Sequence, residues 1–360
     1  MIKACSCLIL TALLALMPCF TMLAESATNP AQLLTTDEQA ASIASLKDMD
    51  DGRFYTMDYT ADYKLDEVLQ KNIADVPSMI AFIQENLLSG QTQTELAPQA
   101  GCSAFVVTAE DGRVLCGRNF DYKMDMTAVL IRTAPKDGYK SIGLVDTGWV
   151  GYGLGSLSDG ETDLSMAVSF PYLIMDGMNE KGLTVSVLQL DGEPTRQDRD
   201  NPKIMTTVAM RLLLDRAATV EEAIALLDTY DMQAASPSAN FHFLLADASG
   251  KAVVIEYCVH EMEVVNETYV SNFYLSPSMN GFGHGQNRYE VMKAALSFKD
   301  NVLTESEAMS LLELVSQKET EESTSMTQWS VVYDLTELDA TIAIRRDYGK
   351  LISFALEGGK

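Results

Sequence analysis

Apolar positions recur at helical spacing between residues 65 and 87: Leu65, Val68 and Leu69, then Ile73, Val76, Met79, Ile80, Phe82, Ile83 and Leu87. That period predicts two amphipathic helices. Upstream, residues 28 to 53 are polar and rich in Ala, Thr, Ser and Asp without a sustained period, and they read as an extended spacer. Downstream, the polar stretch from Ser89 to Glu95 reads as a loop leading to Gly101-Cys102. Beyond it the pattern turns to strands. Residues 104–108 and 114–120 flank Glu110-Asp111-Gly112 and predict a hairpin, because Asp-Gly supplies the positive φ angles that a tight turn needs. Further strands are predicted at 128–133, 141–145, 165–169, 183–190, 241–247, 251–257, 262–265, 269–273, 329–335 and 340–346.

Helical signal returns at 202–230, where Thr219 with Glu222 forms a capping-box pattern, and at 286–316. The acidic, Ser/Thr-rich stretch 317–326 reads as an exposed loop. Strands, helices, strands, helices, strands is the order of an α+β sandwich of mainly antiparallel sheets covered by helices, not of a repeating βαβ fold.

The first residues change the picture of where the protein works. Met1-Ile2-Lys3 precedes an uncharged run from Ala4 to Met22 and small residues at Ala24 to Ala27. This is the layout of a secretory signal peptide, assigned here to residues 1–26, with an uncleaved anchor or lipidation at Cys19 as the alternatives. An exported or cell-surface location is the expectation, with no stable membrane span once the leader is gone. Cys5, Cys7 and Cys19 leave with it, so Cys102, Cys116 and Cys258 remain, an odd number that rules out a full disulfide framework. A net charge of -25 excludes nucleic acid and anionic membrane surfaces as partners, because a polyanion is repelled rather than held.

Candidate chemistry centres on Cys102. If the Gly101–Cys102 bond breaks, the thiol and a new α-amine belong to one residue, and an amine of pKa about 7.7 to 8.0 can act as a built-in general base. Taken alone, a cysteine at a strand start reads equally as a buried structural thiol. The facing strand carries Gly117-Arg118-Asn119-Phe120-Asp121. A guanidinium beside the thiol favours the thiolate, and a carboxylate near the ammonium orients it; the plain alternative is a surface Arg–Asp pair. The three histidines, His242, His260 and His284, lack zinc-ligand spacing, and no metal or cofactor is expected. His242 reads as a core residue, while His260 or His284 could pair with a thiol in a papain-like way. Gly281-Phe282-Gly283-His284-Gly285 lacks the lysine of a phosphate loop. Met124, Met126, Tyr139, Trp149 and Tyr152 are candidates for an acyl-binding pocket.

Cys102-Ser103-Ala104-Phe105, then Gly117 to Asp121, then Asp176-Gly177-Met178-Asn179-Glu180-Lys181-Gly182-Leu183 resemble, in order and spacing, the choloylglycine hydrolase and acid ceramidase-like family of N-terminal-nucleophile amidohydrolases. The hairpin from His242 to Glu256, Ser271-Asn272 and Asn287-Arg288-Tyr289 agree, so the similarity spans residues 102 to 346. The resemblance implies a four-layer αββα sandwich of the N-terminal-nucleophile hydrolase type. It also implies autocleavage at the Gly101, Cys102 junction, a thioester on Cys102, and a small-molecule N-acyl substrate. Arg118 and Asp121 would attend the nucleophile, Asn272 would donate to the oxyanion, and Arg288 would complete the polar network. Where bile-salt-cleaving members carry Asn, this chain has Gln189, one methylene longer, as the oxyanion or substrate candidate. The long region before Cys102 is similar to the pro-segment of the isopenicillin N acyltransferase-like branch. Residues 27–101 are therefore read as spacer and helical pro-segment, a small subunit after cleavage, and 102–360 as the catalytic domain. Leader and resemblance together point to a bacterial protein. Acyl transfer through the same thioester and a secreted non-catalytic binding module are the alternatives, and a homo-oligomer is compatible with the sequence.

Overall fold

The computed structural model describes residues 34–89, 100–123, 125–319 and 326–356. The leader, the first residues of the spacer, most of the 89–95 loop, Met124 and the middle of the 317–326 loop lie outside them. Among the described residues, one sheet has nine strands, in spatial order β1 (Lys47–Asp48), β2 (Phe54–Tyr59), β5 (Ala128–Thr133), β6 (Ser141–Asp146), β7 (Ile174–Asn179), β8 (Thr184–Leu190), β11 (Asn240–Ala246), β12 (Ala252–Cys258) and β13 (Glu261–Val265). The second has six: β14 (Tyr269–Val270), β3 (Ala100–Thr108), β4 (Val114–Tyr122), β17 (Met326–Asp334), β18 (Asp339–Ile344) and β19 (Ile352–Ala355). Two short pairs join β9 (Lys203–Met205) to β10 (Asp231–Gln233) and β15 (Asn272–Phe273) to β16 (Gly283–His284).

The sheets face each other across one apolar core that contains Cys102, Ala104, Phe120 and Trp329 from one side and Leu144, Met178 and Val187 from the other. Helices α4 (Thr206–Arg216) and α5 (Val220–Asp228) cover the nine-stranded sheet, and α6 (Gln286–Phe298) and α7 (Glu305–Leu314) cover the six-stranded one. A second apolar cluster, with Phe105, Leu115, Met292 and Leu312, seals that outer interface. The helix, sheet, sheet, helix order expected of the chain is therefore present. Gly117 explains one motif position: a Cβ there would run into the ring of Phe105, so the glycine leaves room for the end of that ring.

Several expectations are corrected. The supposed spacer contains helix α1 (Asp37–Ala44), started by a reciprocal cap between Thr36 and Gln39. Its buried residues are Gln39 and Ser42, so the inward face carries no apolar period to detect. Strand β2 also went unanticipated; it pairs in parallel with β5 and carries β1 on its outer edge. Helices α2 (Leu65–Gln70) and α3 (Val76–Asn86) follow as expected. Residues 165–169 are not a strand but part of a 3₁₀ segment, Ser165–Tyr172, buried at every position. An unbroken apolar run does not distinguish the two by periodicity. The helical region 202–230 begins with strand β9, the 269–273 strand divides at Ser271, and β19 was unforeseen.

Candidate functional site

Cys102 lies in β3 opposite Phe120 of β4, and the ladder pairs Gly101 with Asp121, Ser103 with Asn119 and Ala104 with Arg118. Successive side chains in a strand point to opposite faces. Cys102 and Arg118 accordingly face the gap between the sheets, whereas Ser103, Asn119 and Asp121 face the α6 and α7 layer. Arg118 and Asp121, three residues apart, therefore lie on opposite faces of the sheet beside Cys102.

On the inner face, Arg118 Nη2 donates to Cys102 Sγ at 2.9 Å and to the Val187 carbonyl of β8 at 2.6 Å. Its Nη1 donates to the Asn119 carbonyl at 2.9 Å, and its Nε lies 3.6 Å from Asp176 Oδ2. Asp176 in turn accepts from Trp329 Nε1 at 2.9 Å and Tyr333 hydroxyl at 2.7 Å. Arg118 and Asp176 are wholly buried, so the guanidinium has a fixed counter-ion and one orientation.

On the backbone side, Cys102 N–H donates to Asn272 Oδ1 at 2.7 Å. Arg288 Nη2 donates to the same oxygen at 2.8 Å, and Asn272 Nδ2 donates to the Gln189 carbonyl at 2.8 Å. Arg288 Nη1 reaches the Cys102 carbonyl at 2.5 Å, Ser103 Oγ at 2.7 Å and Asp121 Oδ2 at 3.3 Å. Asp121 also accepts from Thr327 Oγ1 at 2.5 Å and Gln317 Nε2 at 2.6 Å. The fold thus brings Cys102, Arg118, Asp121, Asn272 and Arg288 together. The arrangement differs from the expectation in one respect: Asn272 holds the nitrogen of Cys102, and Gln189 meets Asn272 through its main-chain carbonyl. Asp176, Ser103, Gln317 and Thr327 join the network without having been assigned from sequence, although Ser103 and Asp176 lay in quoted motifs.

The Gly-rich stretch finds its purpose here. Gly285, at φ +88°, precedes α6, and a Cβ on it would come within 2.6 Å of Arg288 Nη2. Gly283 pairs with Phe273, and a side chain there would strike the Asn272 carbonyl. These glycines let two site residues approach the backbone closely.

Cys102 is 1% exposed. Burial pushes its thiol up, while Arg118 and Arg288 pull the other way, so in the uncut chain desolvation outweighs the neighbouring cations. Burial also raises Cys116 to about 12 and Cys258 to about 11. Neither other free thiol has a guanidinium bonded to its sulfur as Cys102 does. Neither histidine offered for a papain-like pair bonds to Cys102: His260 Nδ1 accepts from Arg196 N–H at 3.1 Å, and His284 Nδ1 lies 3.1 Å from Asp191. His284 instead lines, with Asn287, Arg288, Leu314 and Gln317, a cavity of about 330 Å³ on the helical side. The aromatic candidates for an acyl pocket are not gathered: Trp149 and Tyr152 are in the main core, whereas Tyr139 sits under Lys181 and bonds through its N–H to Asp215. Among the described residues, no cluster of His, Cys, Asp and Glu could hold a metal ion, and no helix is long and apolar enough to cross a membrane.

Residues 102–273 match the model of the linear amide C-N hydrolases, choloylglycine hydrolase family. Two solved structures of conjugated bile acid hydrolase from Clostridium perfringens, one a cysteine-to-alanine mutant and one an arginine-to-leucine variant, are 15% identical over 72% of this chain and 95% of theirs, with TM-scores of 0.52 and 0.51. Penicillin V acylase from Agrobacterium tumefaciens is 18% identical over 70% of this chain and 85% of its own, with a TM-score of 0.48. No curated protein sequence matches.

Proposed function

Because residues 102–273 match the model of the choloylglycine hydrolase family of linear amide C-N hydrolases, we propose that this chain is an exported hydrolase of a small N-acyl compound, activated by cleavage of its own Gly101–Cys102 bond. The observation that carries the reading is that one residue's sulfur and nitrogen are gripped separately, by Arg118 at 2.9 Å and by Asn272 at 2.7 Å.

In the uncut chain, attack of Sγ on the Gly101 carbonyl would form a thioester and release the Cys102 nitrogen as an amine; water then frees the Gly101 carboxylate. Gly101 sits in a crowded place for this step, since a Cβ on it would lie 2.7 Å from Gln317 Nε2 and 3.5 Å from Asp121 Oδ2. Once free, the amine inherits the bond to Asn272. It accepts the thiol proton, the thiolate attacks the substrate carbonyl, and the ammonium returns that proton to the departing amine. Water hydrolyses the resulting thioester and restores thiol and amine. Asn272 Nδ2 has a second N–H beyond the one bonded to Gln189, and this can serve the oxyanion, with the Gln189 side chain as the other candidate. Acyl transfer differs only in replacing that water by an amine.

The test is intact mass and N-terminal sequencing of purified wild type and Cys102→Ala, with hydrolysis of N-acyl amino acids, N-acyl amines and glycine- and taurine-conjugated bile acids. Wild type is expected to give a fragment beginning Cys102-Ser103-Ala104 and to release amine, and Cys102→Ala to stay in one piece and inactive. A wild type that is active while uncut would overturn the proposal; one that is uncut and inert would favour a binding module.

A further inference from the structure

The proposed chemistry depends on where Asn272 holds the nitrogen of Cys102, so what holds Asn272 matters. It lies on a short segment, residues 271–276, with only two residues of strand pairing on either side of Ser271. Two charged-type side chains from β11 and β12, adjacent strands of the nine-stranded sheet, reach that segment. His242 of β11 places Nε2 2.8 Å from the Ser271 carbonyl, immediately before Asn272. Glu256 of β12 accepts the Leu275 N–H at 2.8 Å through Oε1 and the Ser276 N–H at 2.9 Å through Oε2. The two side chains meet, His242 Nδ1 to Glu256 Oε1, at 3.3 Å, and both are wholly buried.

The chemistry of this contact is constrained. A carbonyl only accepts, so the contact of His242 Nε2 with Ser271 is one in which the imidazole donates, and the contact of Nδ1 with Glu256 Oε1 needs a proton between the two atoms. Burial alone would raise Glu256, but His242 and the backbone donors outweigh it and hold the carboxyl below its usual range. Of the other titratable groups around it, Cys258 lies 4.0 Å from Oε2 with its thiol pushed up to about 11, and burial raises Tyr274. Neither supplies a positive charge. A polar pair of this kind is costly to bury, and a pair of apolar residues would fill the same space at less cost. Its geometry secures the main chain at both ends of a segment whose one polar side chain aimed at Cys102 is Asn272.

We propose that His242 and Glu256 are positioning residues: a buried clamp that sets the place of Asn272 against the Cys102 nitrogen, and thereby the rate of chain cleavage and of turnover. This rests on the hydrolase reading above. A displacement of about 1 Å at a reacting group costs on the order of a hundredfold in rate, so the clamp acts on kcat and leaves substrate affinity alone.

The test compares wild type, His242→Phe, His242→Gln and Glu256→Gln for cleavage rate of the chain, kcat and KM on an N-acyl substrate that wild type hydrolyses, and thermal unfolding. His242→Gln retains an amide N–H for the Ser271 carbonyl; His242→Phe retains none. The expected result is a fall of about a hundredfold in kcat for His242→Phe and Glu256→Gln, with KM within about twofold, and recovery of at least about tenfold in His242→Gln. If His242→Phe fails to fold, Glu256→Gln against His242→Gln decides. Variants that melt earlier yet cleave and turn over like wild type overturn the clamp, as does His242→Gln no faster than His242→Phe. A wild type that neither cleaves nor turns over overturns the hydrolase reading itself, and the clamp with it.

Discussion

At the scale of single residues, the sulfur of Cys102 is caught between two opposing influences. Burial disfavours the thiolate, and the Arg118 guanidinium at 2.9 Å favours it. A hydrogen bond to a charged group contributes about 1.5 to 3 kcal/mol, which corresponds to roughly ten- to a hundredfold in a rate that depends on the thiolate. Arg118→Gln is therefore expected to lower kcat/KM by about that factor and to move the acid limb of the pH–rate profile upward, because the anion loses its partner; a profile that stays in place would show that Arg118 acts only in packing. The same variant leaves Asp176 buried with Trp329 and Tyr333 but without its cation, so lower thermal stability should accompany the kinetic loss. Much of this site was legible in the sequence, because Cys102, Arg118, Asp121, Asn272 and Arg288 fall in short motifs. The anchor of Arg118 was not assigned: Asp176 comes from the facing sheet, and only the sandwich brings it within 3.6 Å. Nor did sequence order reveal that Asn272 turns its carbonyl oxygen to the Cys102 nitrogen, since that follows from the two donors, Cys102 N–H and Arg288, that converge on it.

At the scale of elements, the patterns that were read correctly carry either one buried face, as α3 does, or a turn that brackets them: β4, β11 and β12 are buried almost throughout, but Gly112 and Gly250, both at positive φ, mark their hairpins. Those misread are buried at every position without such a turn, or bury polar atoms. The 3₁₀ segment Ser165–Tyr172 is the first kind, and α1, with Gln39 and Ser42 inward, is the second. A short element with a thermodynamic signature is the 3₁₀ turn after β6, Thr147–Val150, capped by Asp146, whose side chain accepts the Gly148 N–H. Burial pushes the Asp146 carboxyl up to about 7 from an ordinary 3.8, against the pull of its Gly148 and Trp149 bonds. The folded state therefore keeps a proton that the unfolded chain has already released, so stability falls as pH rises from about 4 to 7 and the loss is complete above that. A shift of about three units is on the order of 4 kcal/mol. Asp146→Asn, which keeps an acceptor for Gly148 and has no charge to bury, is expected to flatten the dependence of melting temperature on pH across this window and to raise it at pH 8; an unchanged slope would locate the titration elsewhere.

For the whole molecule, the consequence concerns residues 34–88, which precede the proposed cleavage point yet are built into the sandwich. Strand β2 is hydrogen-bonded along its length to β5, and Phe54, Met57, Val68 and Phe82 belong to the same core as the residues around Cys102. Polar bonds tie the two parts together as well. Tyr59 hydroxyl donates to the Val168 carbonyl at 2.8 Å, and Tyr63 hydroxyl donates to Asp215 Oδ2 at 2.7 Å, where Arg211 Nε also reaches Asp215 at 2.9 Å. Cutting one peptide bond removes none of these contacts; it exposes two chain ends and converts intrachain packing into an interface with the character of a domain core. The processed protein is thus expected to run as one particle in native gel filtration, to separate into two chains only in denaturant, and to unfold in a single transition. Tyr63→Phe should weaken that union by about 1 to 3 kcal/mol, because Asp215 stays buried and loses a donor. Its two chains should part at a lower urea concentration than those of wild type, while the cleavage rate at Gly101–Cys102 stays the same, since Tyr63 touches no residue of the site. Dissociation of wild type on cleavage, under native conditions, would contradict this account of how the molecule is held together.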